Sequence, residues 1–126
     1  MDIKELANKY ELGKGDFWEM KFGGKSQWII THDACEKIAD KEDIEFSLPQ
    51  VHADNNSDVA MVGSAKKGDK VVWSTGEASP RNNKNPYNWA MAEKRLKDRL
   101  TLKIISAYQW GIYSDVEADD FKKGAK

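Results

Sequence analysis

Apolar positions change their spacing several times along this chain, and each change marks an element. Ile3 to Leu12 suits a short helix, ended by Gly13 and Gly15. In Phe17-Trp18-Glu19-Met20-Lys21-Phe22 the residues Trp18, Met20 and Phe22 recur at every second position and share one face of a strand. Gly23-Gly24-Lys25 supplies a tight turn into a second strand, Gln27-Trp28-Ile29-Ile30-Thr31, so the two runs predict a hairpin. Asp33 and Glu36 have capping-box spacing for a short helix, Ala34 to Lys41. Ile44, Phe46 and Leu48 alternate in a strand from Ile44 to Val51, with Pro49 at its end or on an edge. His52 to Ser57 reads as a polar connection. Asp58 to Ala65 and Lys70 to Glu77 read as two strands joined through Lys66-Lys67-Gly68-Asp69. Ala78 to Pro86 is a polar loop.

The longest periodic run follows, a helix from about Tyr87 to Tyr108. Asn85 suits its N-cap, Pro86 its first position and Gly111 its end. Trp89, Ala92, Leu96, Leu100, Ile104 and Ala107 fall on one stripe at steps of three or four, widened by Met91, Leu102 and Ile105. Lys94, Arg95, Lys97, Arg99 and Lys103 make up a charged remainder opposed only by Glu93 and Asp98. Ile112-Tyr113-Ser114 is extended, Asp115 to Phe121 is a further short turn, and Lys122 to Lys126 is a tail. The order predicts an α+β fold: an antiparallel sheet of about five strands, made of a hairpin, a short helix and a three-stranded meander, packed on one face against the long helix. The sheet's other face is left to solvent or to another subunit. The divisions are an N-terminal helix or arm over 1–16, the sheet with its short helix over 17–78, the long basic helix over 86–111 and an acidic tail over 112–126.

Composition narrows the class. A chain of 126 residues fits one domain. With 40% hydrophobic residues and five Trp it has the material for a core, despite 33% charged residues. The single cysteine, Cys35, excludes an intrachain disulfide and points to a reducing compartment, the cytoplasm of a cell or of a viral host. Met1 to Tyr10 carries Asp2 and Glu5 and no apolar run, so no signal peptide is expected; nor is a membrane span, which needs about 18 apolar residues. The net charge of −1 is uninformative, but its distribution is uneven. Asp33 to Asp58 holds eight acids and two bases, Val59 to Trp110 ten bases and four acids, and Asp115 to Asp120 four acids. That is a basic second half between acidic flanks.

Most motifs that suggest chemistry fail on spacing. Gly24-Lys25-Ser26 lacks the Gly that a phosphate loop needs five residues earlier, where Glu19 stands, and a strand follows it where a helix is required. Asp54-Asn55-Asn56-Ser57-Asp58 begins like a calcium loop, but its sixth position is Val59 and its twelfth Ala65. His32, Cys35 and His52 lack the fourth ligand of a structural zinc site, and Cys35 reads as a buried helix residue. No nucleophile elbow is present. The expectation is a protein without catalytic residues, metal or cofactor.

One constellation remains. Trp73, Arg81, Lys84, Tyr87 and Trp89 interleave aromatic and basic residues around the loop that leads into the basic helix. Aromatic faces stack on unpaired bases while Lys and Arg hold phosphates, an arrangement suited to single strands. Trp89 shares the helix's apolar stripe and is assigned to the core.

The run Ser74-Thr75-Gly76-Glu77-Ala78-Ser79, then Asn85-Pro86-Tyr87, Ala90-Met91-Ala92-Glu93-Lys94-Arg95 and Asp98-Arg99, ending in Tyr113-Ser114-Asp115-Val116-Glu117-Ala118-Asp119-Asp120-Phe121, resembles a stretch common in uncharacterised phage and marine-viral proteins. The wider layout resembles the Erf-like single-strand annealing recombinases, with corresponding pieces Gln27 to Ala39, Phe46 to Ala78 and Tyr87 to Gly111. The resemblance implies single-strand binding along a basic groove, pairing of complementary strands, and assembly into a ring or filament. By position it implies phosphate contacts at Arg81, Lys84, Arg95 and Arg99. The expected nucleic-acid surface is therefore Arg81, Lys84, Tyr87, Lys94, Arg95, Arg99 and Lys103, with single-stranded DNA as partner, a homo-oligomeric state and no membrane. Two other readings stand beside it. One is a structural or accessory interaction module whose acidic flanks meet a neighbour's basic helix. The other is a small metal-dependent hydrolase using Asp115, Glu117 and Asp119.

Overall fold

A computed structural model describes residues 2–22, 24–55, 58–83 and 86–117. Helix α1 (Ile3–Tyr10) is capped by Asp2, whose carboxylate accepts from Glu5 N at 2.9 Å, and buries Ile3, Leu6 and Tyr10. Strands β1 (Phe17–Phe22) and β2 (Lys25–Ile30) form the expected hairpin, pairing Phe17 with Ile30 and Phe22 with Lys25. Helix α2 (His32–Lys41) starts earlier than the Asp33–Glu36 spacing suggests. Its N-cap is Thr31, whose hydroxyl accepts from Ala34 N at 3.0 Å, and it buries Ala34, Cys35 and Ile38.

The predicted strand Ile44–Val51 is two strands, β3 (Glu45–Phe46) and β4 (Gln50–Asn55). Both pair antiparallel with β5 (Asp58–Lys67), at opposite ends of it. Between them Ser47 N donates to Ser64 O and Ser64 N to Ser47 Oγ, each at 2.9 Å, while Pro49 has no donor to offer. Leu48 is consequently 94% exposed and faces no core. The expected polar connection 52–57 is largely strand: residues 52–55 belong to β4, while Asn56 and Ser57 lie outside the described residues. β5 and β6 (Lys70–Ala78) form the expected hairpin, turning at Gly68 with φ +60°.

The sheet is not single. β3, β4, β5 and β6 form one antiparallel sheet. β1, β2 and β7 (Ile112–Ser114) form another, in which β7 lies parallel to β2. The long helix, α3 (Asn88–Ile104), packs against the four-stranded sheet, so the α+β architecture built on a long C-terminal helix holds. It starts and stops inside its predicted range. Tyr87, not Asn85 or Pro86, occupies its N-cap, and Asn85 lies outside the described residues. A left-handed Ser106 separates α3 from a 3-10 turn, Ala107–Trp110, which Gly111 closes at φ +71°.

Helix α3 is a middle layer. Ala92, Leu96, Leu100 and Ile104 join Val59, Met61, Ala65 and Ala78 in one core. Leu102 faces the other way, into a second core with Leu6, Ile30, Ile38 and Ile112. Two buried faces explain why the apolar residues of this helix spread beyond one stripe. Trp89 lies outside both cores and is 46% exposed, against its assignment to the apolar stripe. It sits in the first turn, beyond the last strand residue that could cover it.

Candidate nucleic-acid interface

Strand β6 pairs with β5 along one edge, and among the described residues its other edge faces no strand. Helix α3 covers that edge with its basic side chains. Arg95 Nη1 donates to Glu77 O at 2.7 Å, Arg99 Nη1 to Thr75 O at 2.7 Å, and Lys103 Nζ to Trp73 O at 2.9 Å. Four helix residues advance about 6 Å and two strand residues about 6.8 Å, so a base at every fourth helix position meets every second carbonyl. Running the other way, Lys70 Nζ donates to Ile104 O at 2.8 Å and caps the end of α3.

This geometry corrects the outward basic face. Arg95 is 1% exposed. Besides Glu77 O, its guanidinium donates to Asn82 O at 2.7 Å, Asn82 Oδ1 at 3.1 Å and Val116 O at 3.2 Å. It ties β6, the following loop and the 115–117 turn together, and no surface ligand can reach it. Arg99 is held by Glu77, at 3.1 Å and 3.2 Å from its two carboxylate oxygens, and lies 3.9 Å from Glu117. Glu117 also accepts from Tyr108 Oη at 2.7 Å; burial and the neighbouring carboxylate push that phenol well above its ordinary pKa. Phosphate would have to displace two carboxylates to reach Arg99.

The other expected contacts are placed differently. Arg81 and Lys94 are exposed, and Tyr87 is 69% exposed. Lys84 lies outside the described residues. Trp73 is 67% exposed, with the Lys103 ammonium 5.5 Å from its ring centroid. Tyr87, Trp89, Arg81 and Lys94 belong to the start of α3 and the loop before it. Trp73 and Lys103 lie toward its far end, some fourteen residues or about 21 Å along the axis from Trp89.

Comparison with protein families, characterised proteins and solved structures finds no match.

A polar junction between α2 and α3 was not legible in the sequence. His32 Nδ1 lies 2.7 Å from Asp98 Oδ1 and Nε2 lies 3.1 Å from Glu36 Oε1, while His32 N donates to Asp115 Oδ1 at 3.1 Å. Asp98 is 1% exposed, and burial pushes its pKa up to about 6. The Asp98 hydrogen bond raises His32, and burial raises Asp115. A neutral imidazole donates from one nitrogen only, so ionised carboxylates at both nitrogens select the imidazolium. Cys35 is buried beside Asp98, and burial raises its pKa well above the ordinary thiol value, which leaves it a poor nucleophile.

Among the described residues no three His, Cys, Asp or Glu side chains are arranged to hold a metal ion. Of the acids considered for a hydrolase, Asp115 accepts from His32, Glu117 is engaged by Tyr108 and Arg99, and Asp119 lies outside the described residues. Among the described residues no helix is long and apolar enough to cross a membrane.

Proposed function

We propose that this protein is a non-catalytic single-stranded DNA-binding protein that pairs complementary strands. Its contact surface comprises exposed aromatic side chains and the basic residues left unburied. The observation that carries this reading is Trp73, 67% exposed with the Lys103 ammonium 5.5 Å from its ring centroid. An exposed aromatic face is able to stack on an unpaired base. The Lys103 bond to Trp73 O uses one of the three donors of its ammonium, and the others are suited to a phosphate. Tyr87, Trp89, Arg81 and Lys94 form a second group of the same composition. The contact set is therefore Arg81, Tyr87, Lys94 and Lys103, with Trp73 and Trp89 added, and with Arg95 and Arg99 assigned to the fold. The resemblance of the last third of the chain to phage proteins, and of the layout to annealing recombinases, supports the same reading and a homo-oligomeric state.

Fluorescence anisotropy of a labelled oligothymidylate, repeated across salt concentrations, tests it. Binding at low salt should weaken with salt by a log-log slope of about −0.7 per phosphate contact. Absence of binding at low salt would refute the proposal.

A second reading, an interaction module without nucleic acid, is favoured by Leu48 and Val71, which are exposed apolar residues on or beside the four-stranded sheet. Light scattering would support it if the protein self-associates while failing to bind the oligonucleotide.

A further inference from the structure

Most strand edges of this fold are unsuited to further pairing. Helix α3 covers β6, β4 has a register shift between Ala53 and Asn55, and β3 and β7 are two and three residues long. Strand β1 differs: its six residues pair with β2 in unbroken register, and among the described residues no strand lies on its other side. Two backbone bonds show what that open side presents. Thr31 N donates to Asp16 O at 2.9 Å, in register with the hairpin, and Trp28 N donates to Gly111 O at 3.0 Å, toward β7. Antiparallel pairs alternate, so Trp18 and Met20 bond β2 while Glu19 and Lys21 turn N–H and C=O outward. Among the described residues no backbone bond outside the hairpin engages them. Their side chains share one face, with Lys21 Nζ 3.6 Å from Glu19 Oε1.

We propose that the open edge of β1 pairs antiparallel with β1 of a second copy, about a twofold axis at Met20, joining two three-stranded sheets into one. Charge complementarity selects both partner and register. Outward-facing residues must meet outward-facing residues, so the allowed registers differ by steps that keep odd positions opposite odd positions. With the axis at Glu19, two carboxylates meet; with the axis at Lys21, two ammonium groups meet. With the axis at Met20, Glu19 stands opposite Lys21 of the partner subunit, and the twofold repeats that pair. Charges on an edge oppose pairing unless they meet their complements, so Glu19 and Lys21 turn other strands away and admit this one. On the opposite face Trp18 is 40% exposed, and this register places Met20 of the partner subunit on its diagonal, within reach of an aromatic ring. The pairing gives the proposed homo-oligomeric state a surface, and it holds whether or not the protein binds DNA.

Sedimentation velocity of the full chain, without nucleic acid and at low salt, tests the pairing across a concentration series. A dimer is expected. Glu19→Lys and Lys21→Glu each turn two opposite-charge pairs into like-charge pairs, and each should weaken dimerisation about tenfold. An equimolar mixture of the two variants should dimerise like the parent, because every cross-strand pair is again of opposite sign. Should either variant lose the parent circular dichroism, Glu19→Pro decides: it removes an outward N–H and no β1–β2 bond, and should abolish the dimer. A parent that stays monomeric at every concentration, variants that dimerise as the parent does, or a mixture that fails to recover overturns the proposal. Each of those results leaves the oligonucleotide reading standing, since no DNA is present.

Discussion

Gly76 lies so close beneath Ala92 that a methyl group on its Cα would stand 2.2 Å from the Ala92 carbonyl oxygen and 2.6 Å from Leu96 N. The obstacle is helix backbone, which cannot rotate aside as a side chain can. Gly76→Ala is expected to destabilise the fold by about 3 kcal/mol or more through overpacking, read as a lower urea midpoint. Gly13 has nothing within 4 Å of its would-be Cβ and no positive φ, so Gly13→Ala should stay within about 0.5 kcal/mol of the parent. Equal effects at the two sites would remove the close approach of β6 and α3 as the cause.

The same closeness lets α3 reach the β6 edge. Arg95→Leu strands the carbonyls of Glu77, Asn82 and Val116 in a buried place, and should cost about 2–4 kcal/mol. Amide exchange should accelerate in residues 79–83, which Arg95 pins. A variant as stable as the parent, with unchanged exchange, would show that the buried guanidinium is dispensable.

The basic row can be divided by salt dependence. Lys103→Ala should reduce the oligonucleotide salt slope by about 0.7, one phosphate contact. Arg99→Ala should lower stability and leave the slope alone, since Glu77 and Glu117 already engage Arg99. Trp73→Ala should weaken binding with little change in stability, because its side chain is largely in water. A slope that falls in Arg99→Ala and holds in Lys103→Ala would reverse these roles.

Stability should decline as pH rises from about 4 to beyond 6.5, the range bounded by the ordinary Asp and His values and the raised folded ones. The sign follows from proton binding. Asp98 is raised from 3.8 to about 6, so its contribution is complete below 3.8 and is lost as pH rises through about 6. His32 is raised above 6.5, so its contribution is complete below 6.5 and is lost at higher pH. Asp115 is also raised and acts in the same direction as Asp98. His32→Gln should flatten the upper part of a melting-temperature profile measured from pH 5 to 8. A parent profile that is level over that range would contradict the imidazolium at the α2–α3 junction.

What the sequence disclosed was local. Alternation of Trp18 and Met20 located β1, and Gly68 located the β5–β6 turn, because strand period and positive φ are written in neighbouring residues. In the sequence the Gly76-Glu77 pair is only a local pattern. Its reason is spatial: room for α3 at 76 and a carboxylate for Arg99 at 77. Arg95 looked like surface because helix position alone does not reveal partners 13 and 21 residues away, Asn82 and Val116. The junction was illegible for the same reason, since His32 and Asp98 are 66 residues apart. Trp89 misled through periodicity, which says which residues share a face but not where the opposing layer stops.

Strand β7 pairs Trp28 with Ile112 and Ile30 with Ser114, so the small sheet joins early and late chain. Such long-range parallel pairing is slow to form, because a large loop must close first. During synthesis β2 emerges long before its second neighbour exists. Until residue 114 has been made, the β2 edge that β7 will fill is an open hydrogen-bonding edge on the nascent chain.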